Sequence, residues 1–278
     1  MIELPEAFVL SEQINQTLTG KKIKSAAANT HPHGFATYSG DPAAYGALLN
    51  GKTLTNANAD LGTTANVYDS NVEIVCEDVI LSISTPIKFH KPGEKLPKSH
   101  QLLLEFTDGS HMSCTVQMWG YMGCVPVSAE MERRPQGPNP LTDAFDEKYF
   151  NELWNSVKPT TSAKAFLATE KRVPGLGNGV LQDILFNAGI HPKRKLQTMS
   201  VREKEKMFRS VKSTLKEMKD RGGRDTEKDL FNKSGGYQTF LSNKTLSYPC
   251  RVCGSGLISQ AYLGGNIYFC PTCQPYKK

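Results

Sequence analysis

Apolar and polar positions divide the chain into stretches of different period. Near the start, Phe8, Leu10, Ile14 and Leu18 recur at roughly helical spacing, and Gly20 closes the run as a helix C-terminal glycine does. A helix is therefore predicted within residues 1–24. Glu3 and Glu6 stand at its beginning, where the helix dipole favours carboxylates, and that role alone accounts for both. From 23 to 128 the period shortens to two. Runs from Val72 to Cys76, Val79 to Ile83, Gln101 to Phe106 and His111 to Val116 are separated by Glu77-Asp78, Pro92-Gly93 and Thr107-Asp108-Gly109. Short strands joined by polar turns predict a two-layer sandwich or a barrel.

From 143 onward the helical period returns. Asp143 is a candidate N-cap for a helix bearing Phe145, Tyr149, Phe150 and Leu153, and Thr161 or Ser162 opens a second through Leu167. A third begins near Asn178, packs Val180, Leu181, Ile184 and Leu185, and stops at Gly189, before His191-Pro192. Ser200 with Glu203 forms a capping box for a long helix through Met207, Val211 and Leu215 to Gly222-Gly223. Residues 222–249 read as an exposed loop and turn, with Tyr237 among basic residues. Between the two periods, residues 129–142 hold three prolines, a glycine and no periodicity, as a linker does. The expected organisation is a leading helix plus β-sandwich at 1–128, a linker at 129–142, a helical domain at 143–240 and a finger at 241–278.

Charge sharpens this division. The 278 residues carry a formal net charge of +6. Residues 1–128 contain eight lysines, no arginine and twelve acidic residues, a net −4; the rest carry 25 basic and 15 acidic residues, a net +10. The second half is the part whose field attracts a polyanion, although a solvated charged surface would read the same on charge alone. No apolar run approaches the roughly 18 residues of a membrane span, and the opening residues lack the basic start of a signal peptide. A cytoplasmic protein with no membrane partner is expected, nucleoid-associated in a bacterium.

The strongest chemical signal lies at the far end. Cys250-Arg251-Val252-Cys253 and Cys270-Pro271-Thr272-Cys273 are two Cys-x-x-Cys pairs separated by sixteen residues. Four thiolates at this spacing form a tetrahedral soft-ligand cage whose usual occupant is Zn2+. The competing reading is two disulfides or four unrelated thiols. The intervening run from Ile258 to Phe269, broken at Gly264-Gly265, predicts a β-hairpin hung on the metal. Cys76, Cys114 and Cys124 sit in apolar, strand-like surroundings and read as reduced core residues. His31 and His33 flank Pro32 without an evident third ligand.

Pro174-Gly175-Leu176-Gly177-Asn178 then joins these signals. This glycine-rich turn enters a helix, a second helix follows the Ala188-Gly189-Ile190-His191-Pro192 turn, Glu3-Leu4-Pro5-Glu6 opens the chain and four cysteines close it. Together they resemble the formamidopyrimidine-DNA glycosylase/endonuclease VIII family. The likeness is specific over 173–192 and 248–273 and weak from about 25 to 128. It implies a multidomain α and β fold: an N-terminal β-sandwich with a leading helix, a helix–two-turn–helix domain and a C-terminal zinc finger. It also implies a monomer that binds damaged double-stranded DNA and one structural Zn2+ on Cys250, Cys253, Cys270 and Cys273. A glycine-rich turn lets the backbone approach a phosphate at a helix N-terminus. Gly175, Gly177 and Asn178 take that role, with Lys164, Lys193, Arg194, Tyr237 and Asn266 as further DNA-facing candidates.

The family's chemistry is base excision and apurinic/apyrimidinic lyase cleavage by an exposed N-terminal proline, whose amine attacks the sugar C1′ of a flipped nucleotide and forms a Schiff base, with the next Glu as acid/base. Glu3 is that Glu here and Glu6 a supporting carboxylate, but Ile2 stands in the proline's place and Met1 precedes it. The family's hairpin lysine also lacks a counterpart: no Lys or Arg occurs from Thr53 to Ile87, and the nearest match is Gly62-Thr63. Its finger arginine, five residues before the third cysteine, is Gly265. The stretch from Gln117 to Gly123 has no arginine to intercalate, though Met118, Trp119 and Tyr121 are candidates to fill the gap left by an everted base, or core residues. An active glycosylase/lyase and a DNA-binding relative without the chemistry are both consistent with these residues; an RNA- or ribosome-associated zinc protein has only basicity in its favour.

Overall fold

The computed structural model describes residues 2–61, 70–130, 137–170 and 172–277. Met1, Gly62-Thr63 and residues 131–136 of the expected linker lie outside the described residues. The chain divides into two compact units. One comprises residues 1–135 with 226–235, the other 136–225 with 236–278. The segment Thr226–Gly235, which the sequence pattern grouped with the helices, thus belongs to the first unit.

In the first unit, helix α1 (Leu4–Leu18) is followed, among the described residues, by nine strands and two short α-helices. These are β1 (Ile23–Ala28), β2 (Ala36–Ser39), α2 (Tyr45–Leu49), β3 (Leu54–Asp60), β4 (Asn71–Cys76), β5 (Val79–Ile83), β6 (Ile87–His90), β7 (Leu102–Phe106), β8 (His111–Cys114), β9 (Gly120–Pro126) and α3 (Val127–Glu130). They form two sheets, one of order β1-β7-β8-β6 and one of order β2-β9-β5-β4-β3, the second antiparallel except where β2 runs parallel to β9. Apolar residues of both sheets and of α1 share one core, which includes Leu10, Ile14, Ile74, Leu81, Leu104, Phe106 and Met112. That arrangement is the two-layer sandwich with a leading helix. Cys76, Cys114 and Cys124 are buried and unbridged, and burial raises the Cys76 thiol to about 12, so they are reduced core residues.

The returning segment is tied to this unit by specific bonds. The Leu230 carbonyl accepts from Phe89 N–H at 2.9 Å, Leu230 N–H donates to Gln13, and Gln13 donates to Asp229 at 3.0 Å. Leu230 is fully buried in the sandwich core. Nothing in the local pattern at 226–235 announced this docking, because one leucine in a polar stretch carries no period.

The second unit holds α4 (Glu147–Asn155), α5 (Asn178–Ala188), α6 (Val201–Asp220) and the hairpin β10 (Ile258–Ala261) with β11 (Asn266–Phe269). Asp146, not Asp143, N-caps α4 by accepting from Tyr149 N–H; the pattern placed the cap three residues early because both aspartates precede the same apolar face. α5 begins at Asn178 and ends at Gly189, whose φ of 69° is the left-handed cap that glycine adopts without strain. The capping box on α6 is formed by Ser200 and Glu203. Between α4 and α5 the chain takes a π-helical turn, Ala165–Thr169, in which Glu170 N–H reaches back to the Ala165 carbonyl. Among the described residues no helix is long and apolar enough to cross a membrane.

Candidate functional site

In the first unit the start of α1 lies against a cavity. Ile2 and Glu6 line a space of about 430 Å³ with Lys88, Gln117, Lys228 and Asp229. Ile2, Glu3 and Glu6 are all buried, and Ile2 N–H points to the Ser84 carbonyl at 3.5 Å. Glu3 is the N-cap residue of α1, and Pro5 sits within the first turn, where its fixed φ suits a helix start. The returning segment supplies Thr226 to Asp229 and Asn232 to the same cavity wall, a contribution invisible to local sequence reading. The candidates near Gln117 separate sharply. Met118 and Trp119 are 74% and 54% exposed, and Trp119 packs on exposed Phe35 with ring centroids 4.7 Å apart. Tyr121 is buried within β9, so it is a core residue rather than a gap filler. His31 packs edge-on against His100 and belongs to no ligand cluster found among the described residues.

In the second unit the glycine-rich turn, Lys164 and the finger hairpin meet. Gly175 adopts φ 74° in that turn, whereas Gly177, the N-cap of α5, is extended and needs no glycine conformation. The first turn of α5 bears no acidic side chain to offset the positive end of the dipole. The Asn178 amide donates to the Asn266 carbonyl at 2.9 Å, and the buried Lys164 ammonium donates to the Tyr262 carbonyl at 2.6 Å. Burial holds the Lys164 ammonium below its usual pKa. Lys193 lies over the Tyr262 ring at 5.1 Å. Gly265 is at this junction: a Cβ there would stand 3.6 Å from the Asn178 amide nitrogen and 3.7 Å from the Lys164 ammonium. Asn178, Lys164, Lys193 and Asn266 therefore converge on one hairpin tip, where Leu263 and Gly264 both take positive φ in a tight turn.

Two predicted contacts are corrected. Arg194 is 2% exposed and grips Glu203 through two bonds, Nη1 to Oε1 at 2.6 Å and Nη2 to Oε2 at 2.9 Å. It is a structural cation, and its neighbours in the Lys193-Arg194-Lys195 run concealed that because a run of charge says nothing about which member points inward. Tyr237 is 1% exposed and packs edge-on against Phe240, so it presents no ring to a ligand.

Three residues that sequence reading passed over hold the site together. Buried Gln182, one turn into α5, donates to the carbonyls of Asn178 and Asn266 and accepts from Tyr268 N–H. Buried Gln274 accepts from Cys270 N–H and donates to the Ile190 carbonyl. Asp183 accepts from Phe240 and Leu241 N–H, and burial raises its carboxyl to about 6. A polar residue on the apolar face of α5 was the available signal for Gln182 and Asp183.

The four cysteine sulfurs lie within 4.8 Å of one another, with Cys250 and Cys273 3.8 Å apart and Cys253 and Cys270 3.4 Å apart. Tetrahedral thiolates at a zinc–sulfur distance of about 2.3 Å stand roughly 3.8 Å from each other, so the set fits one such ion. None of the four is in a disulfide. Cys273 N–H points at the Cys270 sulfur at 3.4 Å, a common way of orienting a thiolate ligand. His191 packs edge-on to Phe269 at 4.4 Å, and burial pushes its ring down to about 4, so it is a neutral wedge under the finger.

These features coincide with one group of known proteins. Residues 136–229 match the family model described as the formamidopyrimidine-DNA glycosylase H2TH domain. The formamidopyrimidine-DNA glycosylase of Oceanobacillus iheyensis is 27% identical over 100% of this chain and 99% of its own length, and that of Bacillus anthracis is 27% identical over 99% of each. Residues 136–229 thus match this H2TH domain, and the whole chain is similar to formamidopyrimidine-DNA glycosylases. Solved family structures share the fold throughout. Lactococcus lactis Fpg (MutM), complexed with DNA containing N7-benzyl-Fapy-dG, superposes with a TM-score of 0.78 at 23% identity over 98% of this chain and 99% of that one. MutM (Fpg) of Thermus thermophilus gives 0.78 at 20% identity over 99% and 100%. Against the family's pattern, Gly265 and Ile2 occupy the positions already noted, while Gly62-Thr63 lies outside the described residues.

Proposed function

We propose that this chain is a monomeric DNA-repair protein of the cytoplasm that binds damaged double-stranded DNA and removes the damaged base with its N-terminal amine. The observation that carries the reading is the cavity of about 430 Å³ walled by Ile2 and Glu6 beside Glu3, in a chain alignable end to end with curated formamidopyrimidine-DNA glycosylases. With Met1 removed, Ile2 offers a primary amine. Its lone pair adds to the sugar C1′, the C1′–base bond breaks, and the departing base takes up a proton. Glu3 moves protons between the ring oxygen, the amine and solvent, and Glu6 holds the amine's surroundings polar. A primary amine yields an imine that must be protonated before it draws electrons, whereas a proline yields a charged iminium outright. This chain therefore depends more heavily on a buried carboxylic acid than a proline enzyme does.

In this reading Asn178, Gly175, Gly177, Lys193 and Asn266 hold the DNA backbone at the finger tip, while Lys164, expected from the sequence to reach DNA, is buried and instead holds the tip through the Tyr262 carbonyl. Cys250, Cys253, Cys270 and Cys273 hold one structural Zn2+, and their thiolates keep the hairpin folded against α5. A second reading, binding without cleavage, is favoured by the absence of any Lys or Arg from 53 to 87 and by Gly265. Borohydride reduction on duplex DNA containing an abasic site decides between them. A covalent adduct mapped by mass spectrometry to the Ile2 amine is the expected result. Retention of the duplex with neither adduct nor strand cleavage over a panel of oxidised bases would leave the binding reading alone standing.

A further inference from the structure

A different face of the second unit carries chemistry that DNA repair does not use. A cavity of about 500 Å³ opens between Pro140-Leu141 and α6, within the range of roughly 300–1,000 Å³ typical of ligand pockets. Its floor is apolar and consists of Pro140, Leu141 and Phe208. The Phe208 ring stacks on Phe145 and leans on Phe150, with centroids 6.1 and 5.4 Å apart, so the floor is fixed by an aromatic cluster. Its rim is cationic. Arg209, Lys212, Lys216 and Lys219 recur every three or four residues, which places them on one side of α6.

The charges on that rim are only partly met. Asp220 pairs with Lys216, and Glu205 lies 3.8 Å from Arg209. Lys212 donates to the carbonyls of Thr142 and Phe145 at 2.8 and 3.0 Å, bonds that hold its position and leave its charge intact. Four cations against Asp220 and Glu205 leave this face a net +2. Arg209 and Lys216 keep 69% and 70% of their side chains exposed, so both are accessible to a partner.

The combination selects the occupant. A phosphate backbone is held by cations and N–H donors and gains nothing from an apolar floor. An acidic peptide with a bulky apolar side chain satisfies both parts: the side chain enters the cavity, and flanking carboxylates meet the rim. We propose that this face docks an acidic segment of a partner protein, its aromatic or aliphatic side chain seated on Pro140, Leu141 and Phe208. Charge complementarity carries the choice, and the proposal does not depend on the base-excision reading.

The test uses the full chain and fluorescence anisotropy with a labelled peptide in which a Phe-Leu pair is flanked on both sides by Asp and Glu. Saturable binding is expected. Replacing the Phe-Leu pair by Ser-Ser weakens it about tenfold or more, the loss of an anchoring side chain. Arg209→Glu with Lys216→Glu weakens it by a similar factor, about tenfold, and the loss shrinks as salt screens the rim. Leu141→Ser shortens the floor while leaving the four rim cations in place, and gives the same loss with an unchanged melting curve. Absence of saturable binding, equal binding of the Ser-Ser peptide, or indifference to both sets of variants would overturn the proposal. Displacement of the peptide by duplex DNA at stoichiometric amounts would assign the face to nucleic acid and overturn it as well.

Discussion

Replacing Glu203 by Gln removes one charge and almost no volume, and it probes chiefly the energetics of the corrected residue, because the other cation on Glu203, Lys277 at 3.3 Å, is exposed and its pairing contributes little. Arg194 is 3% exposed at its side chain and Glu203 22%, and the two share a fork of bonds at 2.6 and 2.9 Å. Gln still accepts from Ser200 N–H, so the capping box survives. What is lost is the counter-charge of a guanidinium already removed from water, and Gln turns an amide donor toward it. Breaking a buried pair in this way costs about 3–5 kcal/mol, and the partial exposure of Glu203 puts this one near about 3 kcal/mol. For a unit of this size that corresponds to a drop in Tm of roughly 10 °C. The readout can be confined to the right unit, because Trp119 lies in the first and Trp154 in the second. In a Trp119→Phe background, indole emission on heating follows the second unit alone.

The acid branch has a definite sign. Arg194 foremost, with the Ser200 N–H and hydroxyl, holds the Glu203 carboxyl well below its ordinary 4.5. A depressed folded pKa contributes stability that is complete above about pH 4.5 and is lost as pH falls toward the folded value. The parent therefore loses its advantage in acid while the variant has nothing to titrate, and the Tm gap narrows below about pH 4. A gap under about 3 °C at pH 7, or one independent of pH down to about 3, would refute the assignment of Arg194 as a buried structural cation.

Other consequences concern the finger. Asn178→Ala removes the bond to the Asn266 carbonyl and a donor at the α5 N-terminus; duplex affinity should fall about tenfold for matched and damaged sequences alike, and a loss restricted to one sequence would argue against a backbone contact. Gly265→Arg should fold, since a Cβ there meets its neighbours at ordinary distances of 3.6 Å or more, and it should tighten duplex binding and steepen its salt dependence by about one charge; weaker binding would show that the tip is not DNA-facing. Removal of metal by a chelator should release close to one equivalent of zinc per chain and abolish amide-exchange protection in Ile258–Phe269 while sparing the sandwich strands; retention of protection would mean the hairpin is held by its packing on α5.

Particular stretches show how far the chain announces itself. The four cysteines were legible as a cage because ligand spacing is local along the sequence, and the sulfurs do converge. α5 and α6 were legible from their caps, Gly189 and the Ser200–Glu203 box, since capping is satisfied within a few residues. The strand pattern gave a sandwich or barrel but not the pairing, in which β2 runs parallel to the far later β9. Arg194 and Lys164 look alike in sequence as cations beside helices. Only packing makes one the buried partner of Glu203 and sets the other against the Tyr262 carbonyl nearly a hundred residues away.

The sequence alone therefore determined the periods, the caps of α5 and α6, the thiolate spacing and the likeness to the family, together with the places where the family's proline, lysine and arginine are missing. Each of these is a matter of residue type at short separation. The tertiary structure decided which polar side chains face inward, that Thr226–Gly235 closes a cavity beside Ile2, and that Gln182 ties the glycine-rich turn to the finger tip. Those facts depend on contacts between residues tens to hundreds of positions apart, and their energies come from desolvation and hydrogen-bond geometry that no local pattern encodes.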